Sequence, residues 1–237
     1  MEQLTIDAAR DDDVVAPSAP RDAVAPMQIS TDIHLLSEPT GVRAESIRVL
    51  RTHLIAQHLR DGRRSLAVCA PASAAGASYV ATNLAVSLAQ TGVKTLLIDG
   101  NMRAPGLHRF FRSAVETPGL ADCLSNPELP LRDALHEDVL PGLTLLYAGR
   151  ATADAQELLG GAGFKALVDA CVRDYDLTLI DTPPANTYAD ARRIASVMRY
   201  AMIVAQRNKS YVRDVRTLID ELTSDRVRVV GTYLNDH

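Results

Sequence analysis

The sequence predicts an α/β domain whose mostly parallel sheet is covered by helices on both faces. From residue 65 onward, short and continuously apolar segments typical of buried strands alternate with segments of helical periodicity. Apolar residues make up 47% of the 237 residues and charged residues 23%, while aromatic residues are scarce at 4%. This composition excludes a disordered, collagen-like or disulfide-stabilised chain and predicts a core of Ala, Val, Leu and Ile.

The first forty residues predict a disordered tail, so the folded domain is expected to span residues 41–237. Three consecutive aspartates at 11–13 are followed by several prolines, and no period of 2 or 3.6 residues is visible. An amphipathic helix is predicted from Gly41 to about Asp61. Its apolar stripe consists of Ile47, Leu50, Leu54, Ile55 and Leu59.

Six strands and four further helices are predicted after this first helix, with a loop-rich stretch extending to residue 143. The strands are expected at residues 65–70, 94–100, 144–149, 177–184, 200–206 and 227–235. The helices are expected at residues 78–92, 155–174 with a glycine break at 160–163, 188–199 and 212–224. No internal repeat is visible.

Charge and cysteine content limit the partners and the compartment. The net charge of −4 provides no general attraction to nucleic acid or to anionic lipid. The three cysteines lie in apolar stretches, which favours reduced thiols in the cytoplasm. Because the sequence shows neither a signal peptide nor a long apolar run, we expect no direct membrane insertion, and membrane association would need a partner.

The turn after the first strand of the sheet is where an α/β fold places a phosphate-binding loop. Gly76 and Ser78 fit such a loop, whereas Ala77 stands where a phosphate-binding lysine is expected. Ala74 replaces a second glycine, and Tyr79 follows the serine. By itself, this pattern also fits a simple turn of small residues at the start of a helix.

Two strands end abruptly in a carboxylate. Asp99 follows the apolar run of one predicted strand, and Asp181 follows that of another. Carboxylates at the carboxyl ends of parallel strands are suited to binding magnesium and its water ligands. Each could instead be a polar strand end or a helix N-cap. Together with Gly76 and Ser78, the pair favours a nucleotide site.

Several separated motifs resemble the cytoplasmic kinase domain of bacterial tyrosine kinases of the CpsD/CapB type. These kinases are P-loop NTPases related to the MinD and ParA ATPases. Glu45, Arg48 and Arg51 match the E-x-x-R-x-x-R motif of this family, and YDLTLIDTPP resembles its Walker B strand. The segment from Asn83 to Phe111, AQELL, Asp190-Ala191 and the closing VVGTYLN also occur in the family order.

The resemblance implies a P-loop NTPase-like fold, with ATP or ADP and Mg²⁺ as cofactors. It places Gly76, Ala77, Ser78, Tyr79, Arg103 and Asn235 at the nucleotide, and Ser78, Asp99 and Asp181 at the metal. Asp99 and Asp181 would be the catalytic residues. Arg103 could instead cap a loop. The resemblance also implies a homo-oligomer joined through the helix of Glu45, Arg48 and Arg51; these charges could equally form a solvated helix face.

Three departures from the family pattern predict lost catalysis. Ala77 removes the lysine, the second aspartate motif has Asn101 where the family has aspartate, and the seven tyrosines are dispersed rather than clustered at the C-terminus. The leading hypothesis is a degenerate kinase-like subunit of exopolysaccharide or capsule assembly. It would dock onto a membrane polysaccharide co-polymerase at the inner face of the plasma membrane.

Two alternatives remain open. The chain could be an active tyrosine autokinase in which another cation replaces the lysine, with Lys94 and Lys209 as the candidates. It could also be a positioning ATPase like MinD or ParA.

Overall fold

The computed structural model describes residues 27–236, and these residues form one seven-stranded sheet with helices on both faces. The strand order is β5-β6-β3-β7-β2-β8-β9, and every neighbouring pair is parallel except β5 and β6. These strands are β2 (Ser65–Cys69), β3 (Thr95–Asp99), β5 (Leu135–Leu140), β6 (Leu143–Leu146), β7 (Leu177–Asp181), β8 (Tyr200–Gln206) and β9 (Arg228–Asn235). The predicted α/β fold with a mostly parallel sheet is therefore confirmed.

The helices form two layers, each packed on one face of the sheet. One layer contains α1 (His34–Ser37), α2 (Val42–Gln57) and α3 (Ala77–Ala89). The other contains α4 (Leu120–Ser125), α6 (Ala155–Gly160), α7 (Ala162–Asp174), α8 (Asp190–Met198) and α9 (Val212–Ser224). The short helix α5 (Leu131–Ala134) leads directly into β5.

The central strands are apolar throughout because both of their faces are covered. Alternate residues of β2 divide between the layers: Leu66 and Val68 pack beneath α2 and α3, whereas Ala67 and Cys69 face α8. This alternation gives the domain two apolar clusters separated by the sheet. Phe164 of α7 is fully buried in the second cluster.

The predicted tail boundary at residue 40 is wrong for the part of the tail that the structure describes. Residues 28–29 form β1 (Gln28–Ile29), which pairs antiparallel with β4 (Phe111–Arg112). The short helix α1 is anchored next to it by Ile33 and Leu35, both of which are buried in the first apolar cluster. The apolar area that these two side chains remove from water accounts for the order of this segment. Residues 1–26 lie outside the described part of the chain.

The stretch predicted as loops up to residue 143 contains two strands and two short helices. Strand β5 extends the sheet at one edge and runs antiparallel to β6, with an irregular register between His136 and Leu140. Within residues 27–236, no helix is both long enough and apolar enough to cross a membrane.

Candidate nucleotide and magnesium site

The parallel strands bring Asp99 and Asp181 together at the carboxyl edge of the sheet. The two residues are direct register partners on β3 and β7, and each side chain is only 1% exposed. Strand β7 also pairs with β2, and the loop after β2 ends at Gly76, with Ser78 in the first turn of α3. The fold thus places both carboxylates beside the loop, as the strand ends predicted.

The loop before α3 adopts the left-handed backbone that a phosphate-binding turn needs, although its sequence has lost one glycine. Gly76 has φ = +85°, and Ala74 has φ = +61°. The left-handed region costs a residue with a Cβ about 1–2 kcal/mol. At Gly76 a Cβ would also lie 2.1 Å from Nδ2 of Asn235, so this position requires glycine. The loop therefore retains its shape at an energetic cost at Ala74.

The start of α3 presents unpaired backbone donors. Among residues 27–236, the backbone N–H groups of Ala77, Ser78 and Tyr79 donate no hydrogen bond. The N–H groups in the first turn of a helix have no intrahelical acceptor and carry the positive end of the helix dipole. A phosphate group placed there would accept hydrogen bonds from these donors.

Asp99 organises the loop that follows β3. Its Oδ2 accepts hydrogen bonds from the backbone N–H groups of Gly106 (2.7 Å) and Leu107 (3.0 Å), and its Oδ1 accepts one from Asn101 (3.1 Å). Burial raises the pKa of Asp99, and these three donors partly offset that effect. Asn101 accepts a hydrogen bond from the N–H of Ala104, so its side chain stabilises a turn.

Burial and a neighbouring charge disfavour the ionised form of Asp181. Burial, followed by the negative charge of Asp99, raises the pKa of Asp181 to about 8, while a hydrogen bond from Ser78 acts in the opposite direction. Its Oδ1 is buried and has no hydrogen-bond partner among the described residues. An unpaired carboxylate oxygen beside a serine hydroxyl and a second carboxylate fits Mg²⁺, which prefers oxygen ligands. Ser78, Asp99 and Asp181 would hold the ion, whose charge would offset those of the carboxylates and of a phosphate.

The guanidinium of Arg103 is held by contacts within the chain. Its guanidinium forms a bidentate ion pair with the buried Asp190, with Nε–Oδ2 and Nη2–Oδ1 distances of 2.6 and 3.3 Å. It also donates to the carbonyl oxygen of Ala153 and lies 4.7 Å from the ring centre of Tyr188. Arg103 therefore joins three segments of the fold, and its predicted contact with phosphate stays a prediction.

Tyr79 and Asn235 differ in their relation to the loop. The ring of Tyr79 packs edge-on against His34 of α1, and its backbone N–H is one of the free donors in the first turn of α3. The side chain of Asn235, at the end of β9, donates a hydrogen bond to the carbonyl oxygen of Ala75 at 3.2 Å. The last strand is thereby fixed to the loop, while the predicted contact of Asn235 with a nucleotide stays a prediction.

The two lysines proposed as replacement cations lie in different places. Lys94 precedes β3 at the opposite end of the sheet, where its Nζ donates to the carbonyl oxygen of Asp174, so the structure excludes it from this site. Lys209 is exposed in the loop after β8, at the same edge as the loop before α3.

Sequence reasoning missed two basic residues, His108 and Arg109, of the turn at 107–109. His108 contributes to lowering the pKa of Asp99, and the positive charge of Arg109 lowers the pKa of Asp181. Both side chains are exposed. His108 also lines a cleft of about 860 Å³ that opens beside Asp99. Their position directly after the second aspartate motif is the sequence signal that could have identified them.

The E-x-x-R-x-x-R helix is more engaged within the chain than the spacing predicted. Arg48 donates to Glu45 at 3.2 Å and to the carbonyl oxygen of Pro39 at 2.5 Å. Arg51 donates to the carbonyl and hydroxyl oxygens of Ser87 on α3, both at 3.2 Å. Arg51 therefore does not project freely beside Glu45 and Arg48, because α3 packs against this part of α2.

Comparison with known proteins gives matches over most of the chain. The family model described as ATPase MipZ matches residues 64–233. CapB of Staphylococcus aureus, described as a tyrosine-protein kinase, is 30% identical over 203 residues, which cover 86% of this chain and 88% of CapB. The tyrosine-protein kinase Ptk of Acinetobacter johnsonii is 31% identical over 82% of this chain, but the match spans only 26% of Ptk.

A solved structure agrees with these sequence matches. The crystal structure of the chimerical protein CapA2B2 superposes with a TM-score of 0.78 at 26% identity, covering 88% of this chain and 91% of that one. The matched region contains the loop before α3 and both buried carboxylates. The chain belongs to the bacterial tyrosine kinases of the CapB type, within the P-loop ATPases that include MipZ.

Proposed function

We propose that this chain is a catalytically degenerate, tyrosine-kinase-like subunit of capsule or exopolysaccharide assembly. It binds nucleotide weakly and phosphorylates tyrosine inefficiently or not at all. It works as a homo-oligomer on a membrane polysaccharide co-polymerase, at the inner face of the plasma membrane. The observation that carries this proposal is the junction of the loop and α3. It keeps the left-handed residues Ala74 and Gly76 and the free N–H groups of the first helical turn, but it has Ala77 in place of the lysine.

Nucleotide binding and phosphoryl transfer require different groups at this site. Backbone donors, Ser78 and a magnesium ion at the two carboxylates are sufficient to attract a phosphate. Efficient transfer also needs preorganised positive charge on the transferred group, and losing one such group costs about a hundredfold or more in rate. In this chain Ala77 supplies no charge, and Asn101 replaces a carboxylate. Weak binding with little transfer follows.

The purified chain is expected to form no detectable phosphotyrosine when incubated with magnesium-ATP, because the charge that stabilises the transferred phosphoryl group is reduced. Phosphotyrosine-specific antibody and mass spectrometry are the measurements, with the Asp99→Ala variant as the background control. Phosphotyrosine that appears in the wild type and disappears in Asp99→Ala would refute the proposed degeneracy.

The exposed face of α2 supports self-association. Val42 is 83% exposed and Val49 is 49% exposed, and both flank the exposed carboxylate of Glu45. Exposed apolar side chains next to charged ones are typical of a contact surface. Because Arg48 and Arg51 already have acceptors within the chain, replacing them would disturb the fold as well as any contact. Val42 is the better position to test.

The Val42→Asp variant is expected to weaken self-association at least about tenfold, because it places a charge in an apolar contact. Its fold should be preserved, since an acidic residue in the first turn of a helix is favourable. The matched control is Val212→Asp, which changes the 69% exposed first residue of α9. Sedimentation velocity at several concentrations measures the effect. Equal association of the wild type and both variants would show that this face of α2 is solvated and forms no contact between subunits.

The retained loop also favours the alternative of an active ATP-dependent enzyme, either a tyrosine autokinase or an ATPase like MinD. Magnesium-dependent release of phosphate without phosphotyrosine would support the ATPase, and phosphotyrosine would support the kinase. The degenerate subunit predicts neither product above the background of Asp99→Ala.

A further inference from the structure

The proposed nucleotide site has Ala77 in place of the expected lysine, and the turn at 107–109 places the guanidinium of Arg109 beside this site. Nε of Arg109 donates to the carbonyl oxygen of Gly106 at 3.4 Å, which holds the side chain against the site. The N–H of Gly106 in turn donates to Asp99. The backbone that positions Arg109 is thus attached directly to one of the two buried carboxylates.

Two atoms flank the same point beside Gly106. The position that a Cβ of Gly106 would occupy lies 3.5 Å from Nη2 of Arg109 and 3.7 Å from Oγ of Ser78. The guanidinium and the serine hydroxyl are therefore close enough for one phosphate group to accept hydrogen bonds from both. Ser78 is the residue after Ala77, so this phosphate would also lie at the free N–H groups of α3.

We propose that Arg109 contacts the terminal phosphates of a bound nucleoside di- or triphosphate, as the cation that replaces the missing loop lysine. The inference rests on the proposed retention of nucleotide binding. Arginine suits the role because its planar fork pairs with phosphate oxygens bidentately and keeps its charge at every relevant pH. Its attachment to Gly106 fixes it beside, rather than within, the loop, which fits binding without efficient transfer.

The charges around the site agree with this assignment. The guanidinium lowers the pKa of Asp181, so its field reaches the buried carboxylate at the end of β7. Asp181 keeps one oxygen without a partner among the described residues, and Arg109 forms no ion pair with an acidic side chain there. The guanidinium is thus close to the carboxylates yet available to a phosphate.

Isothermal titration of the full chain with magnesium-ADP and magnesium-ATP tests the proposal. Arg109→Ala is expected to weaken binding at least about tenfold, as for the loss of a charge-assisted contact. Arg213→Ala, which removes an 88% exposed arginine on α9, is the control and should bind as the wild type does. Because Arg109 is exposed, the thermal unfolding of the variant should match that of the wild type.

A swap of the cation sharpens the test. In the Arg109→Ala background, Ala77→Lys should restore most of the lost affinity, whereas in the wild type the same change should alter affinity less than about threefold. If Arg109→Ala binds both nucleotides as tightly as the wild type does, the role of Arg109 is overturned and the proposed function is left intact. A wild type that binds neither nucleotide at millimolar concentration would overturn both the inference and the nucleotide-binding part of the proposed function.

Discussion

Replacing Arg103 with alanine is expected to lower the free energy of unfolding by about 3 kcal/mol, because it leaves the carboxylate of Asp190 buried without its charged partner. Asp190 is only 1% exposed, and Arg103 is 22% exposed. The same substitution removes the hydrogen bond to Ala153 and the contact with the ring of Tyr188. The loop after β3 and the segments before α6 and α8 would lose their common anchor.

Urea unfolding at constant pH measures this loss. The control is Arg132→Ala, which removes an 82% exposed guanidinium whose partner Asp133 is itself half exposed. It should cost less than about 0.5 kcal/mol. The double variant Arg103→Ala, Asp190→Asn should recover part of the stability, since the buried charge is then absent. A loss below about 1 kcal/mol for Arg103→Ala would contradict the anchoring role.

The metal-free protein is expected to lose stability steadily as the pH rises from about 5 to 8, and Asp181→Asn should reduce that slope. The pKa of Asp181 is about 8 in the folded chain, against an ordinary value of 3.8. Between these values the folded state holds a proton that the unfolded state has released, so stability is complete at low pH and declines as the pH increases. One such group changes the free energy of unfolding by about 1.4 kcal/mol per pH unit.

The comparison is a set of urea unfolding curves between pH 5 and 8 in the presence of a chelator. At pH 8, Asp181→Asn should be more stable than the wild type by at least about 2 kcal/mol, because a neutral amide replaces a buried carboxylate that must ionise there. Asp220→Asn, an exposed position on α9, should leave the slope unchanged. If the wild type lacks this slope, or if Asp181→Asn is less stable than the wild type at pH 8, the pKa of Asp181 is not raised in the folded chain.

Much of the fold could be predicted because its central strands are buried on both faces. Continuous apolar runs such as those of β3 and β7 can be recognised as buried strands from the local sequence alone. Strand β5 escaped prediction because it lies at the sheet edge, alternates irregularly and contains Asp138 at φ = +49°. The order of residues 27–40 depends on where Ile33 and Leu35 pack, which no local pattern contains.

Only the part of the site that is built from strand ends could be predicted from the sequence. Asp99 and Asp181 end two apolar runs, so their meeting followed from the parallel sheet. The partner of Arg103 is 87 residues away in sequence, and spacing gives no indication of that pairing. The acceptors of Arg51 on α3 were hidden for the same reason. Arg109 lies in a short turn without periodicity, so its position next to Ser78 emerged only from the folded chain.

A single-turnover experiment with γ-labelled ATP tests the central claim, that this site holds nucleotide but transfers phosphate poorly. The purified chain, in excess over labelled magnesium-ATP, is sampled for bound nucleotide, free phosphate and phosphoprotein over hours. We predict that intact ATP remains bound, with free phosphate and phosphoprotein at the background of Asp99→Ala. Conversion of the bound ATP into free phosphate or phosphotyrosine within seconds to minutes would contradict the account, because it would show that the site remains catalytically competent without the loop lysine.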